Sequence, residues 1–313
     1  MKFLKNFKNS SLAWTIFAAG IIATVLSFSS PYFMTTANIT NLLKQVSIVA
    51  ILAAGQAIVI MTGGIDLSVA SVLALSAVTI GWLIQAGVDP SIAAVCGLVV
   101  GTICGLVNGI IITKAKIPPF IATLGMLGIA RGFALVITKG VSYQVIVPFF
   151  LYIGNSKFLG LPIPLYFVGV TYLFVYILMH TTVFGRHIYA IGGNTSVSRL
   201  QGINVDRELI KTYALSGFLA ALAAVVMVGR LAATPPSVAQ GIELQAIAAV
   251  IIGGISFTGG RGYVISALIG AFIMAMITNG LNILGISSFW QQVLIGIVII
   301  AAVWFDNLKS NRI

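Results

Sequence analysis

Few side chains in this sequence could do acid–base, metal or nucleophilic chemistry, and their spacing does not favour it. Asp and Glu number 6 against 17 Lys and Arg, with 2 His. Asp66 and Glu243 are the acids associated with apolar stretches, and an acid within a membrane segment is a functional candidate by default. Asp66, however, directly precedes Leu67–Ser68 at the start of an apolar run. There a carboxylate or hydroxyl can satisfy the free N–H groups of a first helical turn and oppose its positive end, so capping is preferred to transport chemistry. Glu243 follows Pro235–Pro236, with Ser237 and Gln240 at capping-box spacing, which points to a structural or gating role. His180 and His187 border one polar loop, far in sequence from both acids, so no acid–histidine proton relay is visible. Cys96 and Cys104 share an apolar segment and are read as small buried residues, without a disulfide or metal. GxxxxGK[ST], HExxH and GxSxG do not occur. The chain is expected to have no catalytic residues, no metal and no cofactor of its own.

Most of the remaining residues belong in lipid. Of the 313 residues, 59% are hydrophobic and 7% charged, and mean hydropathy is +1.10; soluble domains carry about 25% charged residues. A membrane-crossing helix needs about 20 apolar residues. Candidate spans fall at roughly 12–29, 42–62, 68–87, 91–113, 118–138, 162–180, 211–229, 242–258, 263–284 and 288–305. The expected fold is all-α: a polytopic integral membrane protein of about ten transmembrane helices, forming a single transmembrane domain over 1–313.

The net charge of +11 would suggest nucleic acid in a soluble protein. Here the cations flank apolar spans, so no nucleic-acid partner is expected and the positive-inside bias applies. With the N-terminus inside, cytoplasmic segments hold Lys2, Lys5, Lys8, Lys114, Lys116, Arg186, Arg199, Arg207, Lys211, Arg261, Lys309 and Arg312; the outer side holds Lys44, Arg131, Lys139, Lys157 and Arg230. An even number of spans then puts both termini in the cytoplasm. Lys2, Lys5 and Lys8 resemble a signal-peptide n-region, but the following apolar run is too long for an h-region and reads as a retained helix.

Several spans are interrupted. Gly63, Gly64 and Asp66 break one run, and Gly253, Gly254, Gly259 and Gly260 break another. Both contain GGI, and an NG pair follows each (Asn108–Gly109 and Asn279–Gly280), as a diverged internal duplication of the kind found in transporters would leave. Gly97, Gly101, Gly105 and Gly109 form a small-xxx-small seam, read as helix packing within the monomer before a dimer interface. Gln56, Asn108, Phe120, Thr123, Asn279 and Asn282 are the candidate lining of a pathway, since amides and aromatic faces suit a hydroxyl-rich solute.

The longest polar interruption, Gly185–Lys211, is the expected docking point for a soluble partner. Within it, Asn194–Thr195–Ser196 can open a short helix that Gly202 closes. Ser198, Arg199 and Gln201 could reach a partner, and Val197 and Leu200 would form an apolar knob.

TGGIDLSVAS, PPFIATLGM (Pro118–Met126) with Arg131–Gly132, GRHIYAIGGN…RLQGINV, and IELQAIAAVIIGGISFTGGRG followed by NGLNILGISSFWQ together resemble the permease subunits of bacterial ABC sugar importers, the group that includes ribose permeases. The resemblance runs almost end to end. It implies a homodimer, or a heterodimer with a similar permease, in the inner membrane. It also implies a cytoplasmic ABC ATPase that binds ATP–Mg, a periplasmic or extracellular sugar-binding protein, and a coupling helix over about 195–202 in which Asn194, Thr195, Ser198, Arg199, Leu200 and Gly202 serve the ATPase. The chain departs from the family pattern at Ala70 (Gly), Thr195-Ser196-Val197 (Glu-Ala-Ala) and Gln245 (Asp). The alternative, an ion-coupled secondary transporter of a small polar solute, would need a coupling-ion site, and the scarcity of buried acids counts against it.

Overall fold

A computed structural model describes residues 11–310. Lys2, Lys5, Lys8 and Arg312, counted above in the charge bias, lie outside the described residues. The main helices are α1 (Ser11–Ser29), α2 (Thr36–Met61), α3 (Val69–Gln85), α4 (Pro90–Lys114), α5 (Pro119–Thr138), α6 (Pro148–Asn155), α7 (Ile163–Thr181), α8 (Val183–Gly193), α9 (Thr195–Leu200), α10 (Val205–Leu231), α11 (Ile242–Ile252), α12 (Val264–Ile283) and α13 (Ser288–Ser310). Strand content among the described residues is four two-residue pieces. β1 (Tyr143–Gln144) pairs antiparallel with β4 (Ala233–Thr234), and β2 (Lys157–Phe158) with β3 (Leu161–Pro162). The fold is all-α and polytopic.

Six helices, α2, α4, α5, α7, α10 and α12, are long and apolar enough to cross a membrane; α1, α3, α11 and α13 contribute shorter apolar stretches. Each of the ten expected spans overlaps one of these helices, with three revisions. The expected span 242–258 ends at Ile252, because Gly253 and Gly254 terminate α11. Its 11 residues cover about 16 Å, half the hydrocarbon thickness. The span expected at 211 begins at Val205, with Asn204 accepting from Arg207 N–H as N-cap. The span expected at 42 begins at Thr36, capped by the Thr35 side chain on Asn38 N–H.

The centre of the bundle is α2, in which every residue from Val46 to Met61 is buried. α10 lies beside it, packed on α4 along the glycine seam. A Cβ on Gly101, Gly105 or Gly109 would meet the backbone of Gly217, Tyr213 or Ile210 in α10. The seam is therefore occupied within the monomer. α1, α4, α5 and α7 present an outer surface of large apolar side chains such as Val95, Ile103, Phe133 and Leu173, as a lipid-facing belt must.

Antiparallel passage sorts the connections to two ends. At one end lie the α2–α3 break, the α4–α5 turn, α8–α9 and the break between α11 and α12. At the other lie the 139–162 excursion, the 232–241 loop and the α12–α13 turn. Only part of the duplication survives. The two GGI breaks occupy the same end and touch, but Asn279 lies on the helix leaving its break, whereas Asn108 lies on α4 returning to that end. The two NG pairs are not equivalent positions.

Candidate functional site

The segment 185–211 is helical rather than an open loop. It comprises most of α8, all of α9 and the first turns of α10. Asn194 Oδ1 accepts from Val197 N–H (3.0 Å) and Ser196 Oγ (2.7 Å), which starts α9. Gly202, at φ +83°, lets the chain turn away. Leu200 is 88% exposed, and Val197 is exposed beside it. Arg199 reaches outward and pairs with Asp206 (3.1 Å), which also takes Lys114 (3.4 Å). Ser198, expected to reach a partner, does not: it is 2% exposed and donates to Asn194 O (2.9 Å). It lies on the inward face of the turn, opposite Leu200.

Glu208 was not singled out in the sequence, because it sits in a charged stretch that reads as surface. It is buried in the first turn of α10, with Lys211 Nζ at 3.2 Å and His187 Nδ1 at 3.3 Å. It ties α8 to α10.

Behind α9, the end of α8 rests on both helix breaks at once. Gly260 N–H donates to Met61 O (2.9 Å), joining the second break to the end of α2. Gly192 fits against that bond: a Cβ there would overlap Met61 O and Gly260 N. Tyr189 Oη donates to Gly262 O (2.9 Å). The end of α8 thus lies directly against backbone at the two discontinuities, with no side chain between Gly192 and the joint.

Asp66 stands in the first break and is buried. Its Oδ1 accepts from Ser68 N–H (2.9 Å) and Ser68 Oγ (2.6 Å), and its Oδ2 from Ser216 Oγ of α10 (2.8 Å). Asn108 Nδ2 donates to Ser68 Oγ (2.9 Å). With its amide oriented to satisfy both atoms, Gln56 donates to Asp66 O (3.1 Å) and accepts from Asp66 N–H (3.3 Å). Thr123 Oγ1 lies 3.2 Å from Ile65 O. Three of the six pathway candidates, Gln56, Asn108 and Thr123, therefore surround this break as buried fasteners; none faces open space in this conformation.

The other three diverge. Phe120 is exposed on the outside of the bundle. Asn279 exchanges hydrogen bonds with Asn38 (3.1 and 2.9 Å), locking α12 to α2. Asn282 accepts from Gln291 Nε2 (2.7 Å) and borders a cavity of about 170 Å³, at the end of the bundle away from α9. Gln45, Arg230, Gln245 and Thr278 share that cavity; none of them was a pathway candidate, although Gln245 stood out as a departure from the family pattern near the outer side. Gln45 and Gln245 could have been found by the reasoning that selected Gln56, an amide in apolar surroundings.

The 235–241 loop beside this cavity is held by Arg131, whose Nη1 donates to Pro236 O (2.6 Å) and Val238 O (2.9 Å). The Ser237–Gln240 capping box does not form, since α11 starts only at Ile242. Instead Glu243 reaches back to accept from Gly241 N–H (3.0 Å). Charge-assisted hydrogen bonds are worth about 1.5–3 kcal/mol each. Arg131→Ala is therefore expected to speed amide hydrogen exchange across 237–242 by about tenfold or more, leaving exchange in α9 unchanged.

A membrane bundle with two glycine-rich helix junctions in contact, a polar cavity at one end and a protruding turn at the other fits a transport permease. The family model described as "Branched-chain amino acid transport system / permease component" matches residues 38–303, and the chain belongs to that family. It is 43% identical to the ribose import permease protein of Bacillus subtilis (strain 168), over 93% of this chain and 91% of the relative. It is 40% identical to the D-allose transport system permease protein of Escherichia coli (strain K12), over 97% and 95%. With the fructose import permease protein of Rhizobium meliloti the identity is 37%, over 97% and 88%. No solved structure matches the chain significantly.

Proposed function

We propose that the chain is the membrane subunit of an ABC importer for a monosaccharide, most simply a ribose-like sugar. ATP–Mg is bound and hydrolysed on a cytoplasmic partner, and the chain itself holds no cofactor. The observation that carries this reading is the exposed Leu200 knob on α9, the helix that directly follows the Gly192 joint with both helix breaks. The naming of the relatives for ribose, allose and fructose import supports the substrate class.

In this reading α9 faces the cytoplasm, both termini lie on that side, and two copies or two similar permeases form the pore. A loaded sugar-binding protein docks at the opposite end. Closure of the ATPases pushes α9, and α8 delivers that displacement to the breaks at 62–68 and 253–263. The solute then passes inward.

The test is reconstitution with and without the ATPase and binding protein. Uptake of labelled D-ribose, D-allose or D-fructose should require both partners and ATP; uptake by the chain alone driven by a proton or sodium gradient would overturn the reading. Leu200→Asp is expected to abolish co-purification of the ATPase while leaving the permease in the membrane. Placing a charge on a central apolar anchor costs about 2 kcal/mol or more, roughly thirtyfold in affinity.

A further inference from the structure

We propose that the cavity between α2, α10, α11 and α12 is a binding site for a single neutral monosaccharide within each protomer, with Arg230 as its principal donor. This rests on the sugar-importer reading and adds where the solute is held. Its volume of about 170 Å³ is the room of about six waters, enough for one sugar ring and too little for two.

The lining has the chemistry of such a site. Gln45, Arg230, Gln245, Thr278 and Asn282 supply its polar groups, above a floor that includes Ile48, Met227 and Ala275. Ligand sites are commonly built this way, largely apolar with a few placed polar groups. The polar groups are also uncommitted. The side chains of Arg230, Gln45 and Gln245 make no hydrogen bond or ion pair to any other described residue. All three are half-buried and line the cavity, so their polar atoms remain within reach of a ligand there. Thr278 spends its proton on Met274 O (3.0 Å) and keeps its lone pairs. Asn282 accepts from Gln291 through Oδ1 and keeps its Nδ2 hydrogens.

The mixture of donors and acceptors selects the ligand class. The fixed fork of a guanidinium can span the oxygens of adjacent hydroxyls. Each sugar hydroxyl both donates and accepts, so it can also satisfy the amide oxygens of Gln45 and Gln245 and the Thr278 hydroxyl. A simple anion would use only the donors of this lining, whereas a sugar hydroxyl uses its donors and its acceptors together. The second nearby cation, Lys44, is turned to Asn155 Oδ1 (2.9 Å) and lies outside the lining. The cavity is at the end opposite α9, where the proposed binding protein releases its sugar.

The experiment is ligand protection of an introduced thiol in the full chain in proteoliposomes. Gln245→Cys and Thr278→Cys are made separately with Cys96 and Cys104 replaced, and labelled with a small charged thiosulfonate. Lys139→Cys, at the same end but outside the cavity, is the control. D-ribose, D-allose or D-fructose at ten times its dissociation constant should slow labelling at 245 and 278 about elevenfold, by simple occupancy. Labelling at 139 should not change. Adding Arg230→Ala should remove the protection, and Arg230→Lys should weaken it. Equal labelling with and without each of the three sugars would overturn the site, even where the intact complex still imports sugar. So would failure of both cysteines to label at all, because no solute could then reach the cavity. Protection by D-glucuronate with none by the neutral sugars would overturn the ligand class. If the intact complex with ATP imports none of the three, the function proposed above fails, whatever the cysteines report.

Discussion

Gly192→Ala is expected to leave the permease assembled with its ATPase and to reduce sugar uptake per ATP hydrolysed by about tenfold or more. A Cβ at 192 has nowhere to go. It would overlap Met61 O and Gly260 N, the two atoms whose 2.9 Å hydrogen bond joins the breaks. The obstruction is backbone, so no rotamer change relieves it. Overpacking of this kind costs about 1–3 kcal/mol, and here the cost falls on the joint rather than on a helix interior. Val197 and Leu200 stay exposed, so docking should survive. The neighbouring glycine is the control: a Cβ on Gly193 meets nothing within 4 Å. Gly193→Ala, at the last residue of α8, should leave both uptake and stability near wild type, or raise stability slightly through the lower backbone entropy of alanine. Paired measurements of ATPase rate, uptake and co-purification separate the outcomes. Equal uptake in the two variants would show that α8 does not act through Gly192.

The membrane architecture was legible in the sequence because hydrophobic length is a strong signal. The breaks were legible because GGI and GGRG interrupt apolar runs. Boundaries failed where charge and helix coincide. Asp206, Arg207, Glu208 and Lys211 read as loop, yet they occupy the first turns of α10, with Glu208 buried under Lys211 and His187. Residue type marked the polar positions inside the bundle but not their direction. Gln56, Asn108 and Thr123 look like pore residues from composition, and they turn toward the first break because its unpaired backbone and Asp66 need partners. Arg230, at the end of an apolar helix, looked like a topological marker; packing of α2, α11 and α12 around it makes it the charged member of a cavity. Direction on a helix is set by neighbours far away in the chain, and a short helix such as α9 has too few turns for periodicity to report it, which is why Ser198 was placed on the wrong face.

Asp66 gives the second large effect, and its two substitutions separate fastening from chemistry. Asp66→Ala removes the acceptor of Ser68 N–H, Ser68 Oγ and Ser216 Oγ together, in a site with little access to water. Leaving buried donors unpaired costs about 1–3 kcal/mol per group, and these three share one network, so a loss of roughly 2–4 kcal/mol is expected. The variant should accumulate poorly and unfold at lower temperature or detergent load. Asp66→Asn is nearly isosteric. Its Oδ1 can keep both bonds from Ser68, and its amide can donate to Ser216 Oγ, a hydroxyl able to reverse its role by rotation. If Asp66 only ties α3 to α10 across the break, the Asn variant should fold and should import sugar within about threefold of wild type, a difference under 1 kcal/mol. A stable Asn variant that imports nothing would instead place a proton or an ion on Asp66 during the cycle. The same result would revive the ion-coupled mechanism, since a carboxyl buried at a helix break is where a secondary transporter would hold its coupling ion. The present geometry favours the first outcome, because both oxygens of Asp66 are already engaged by side-chain and backbone donors.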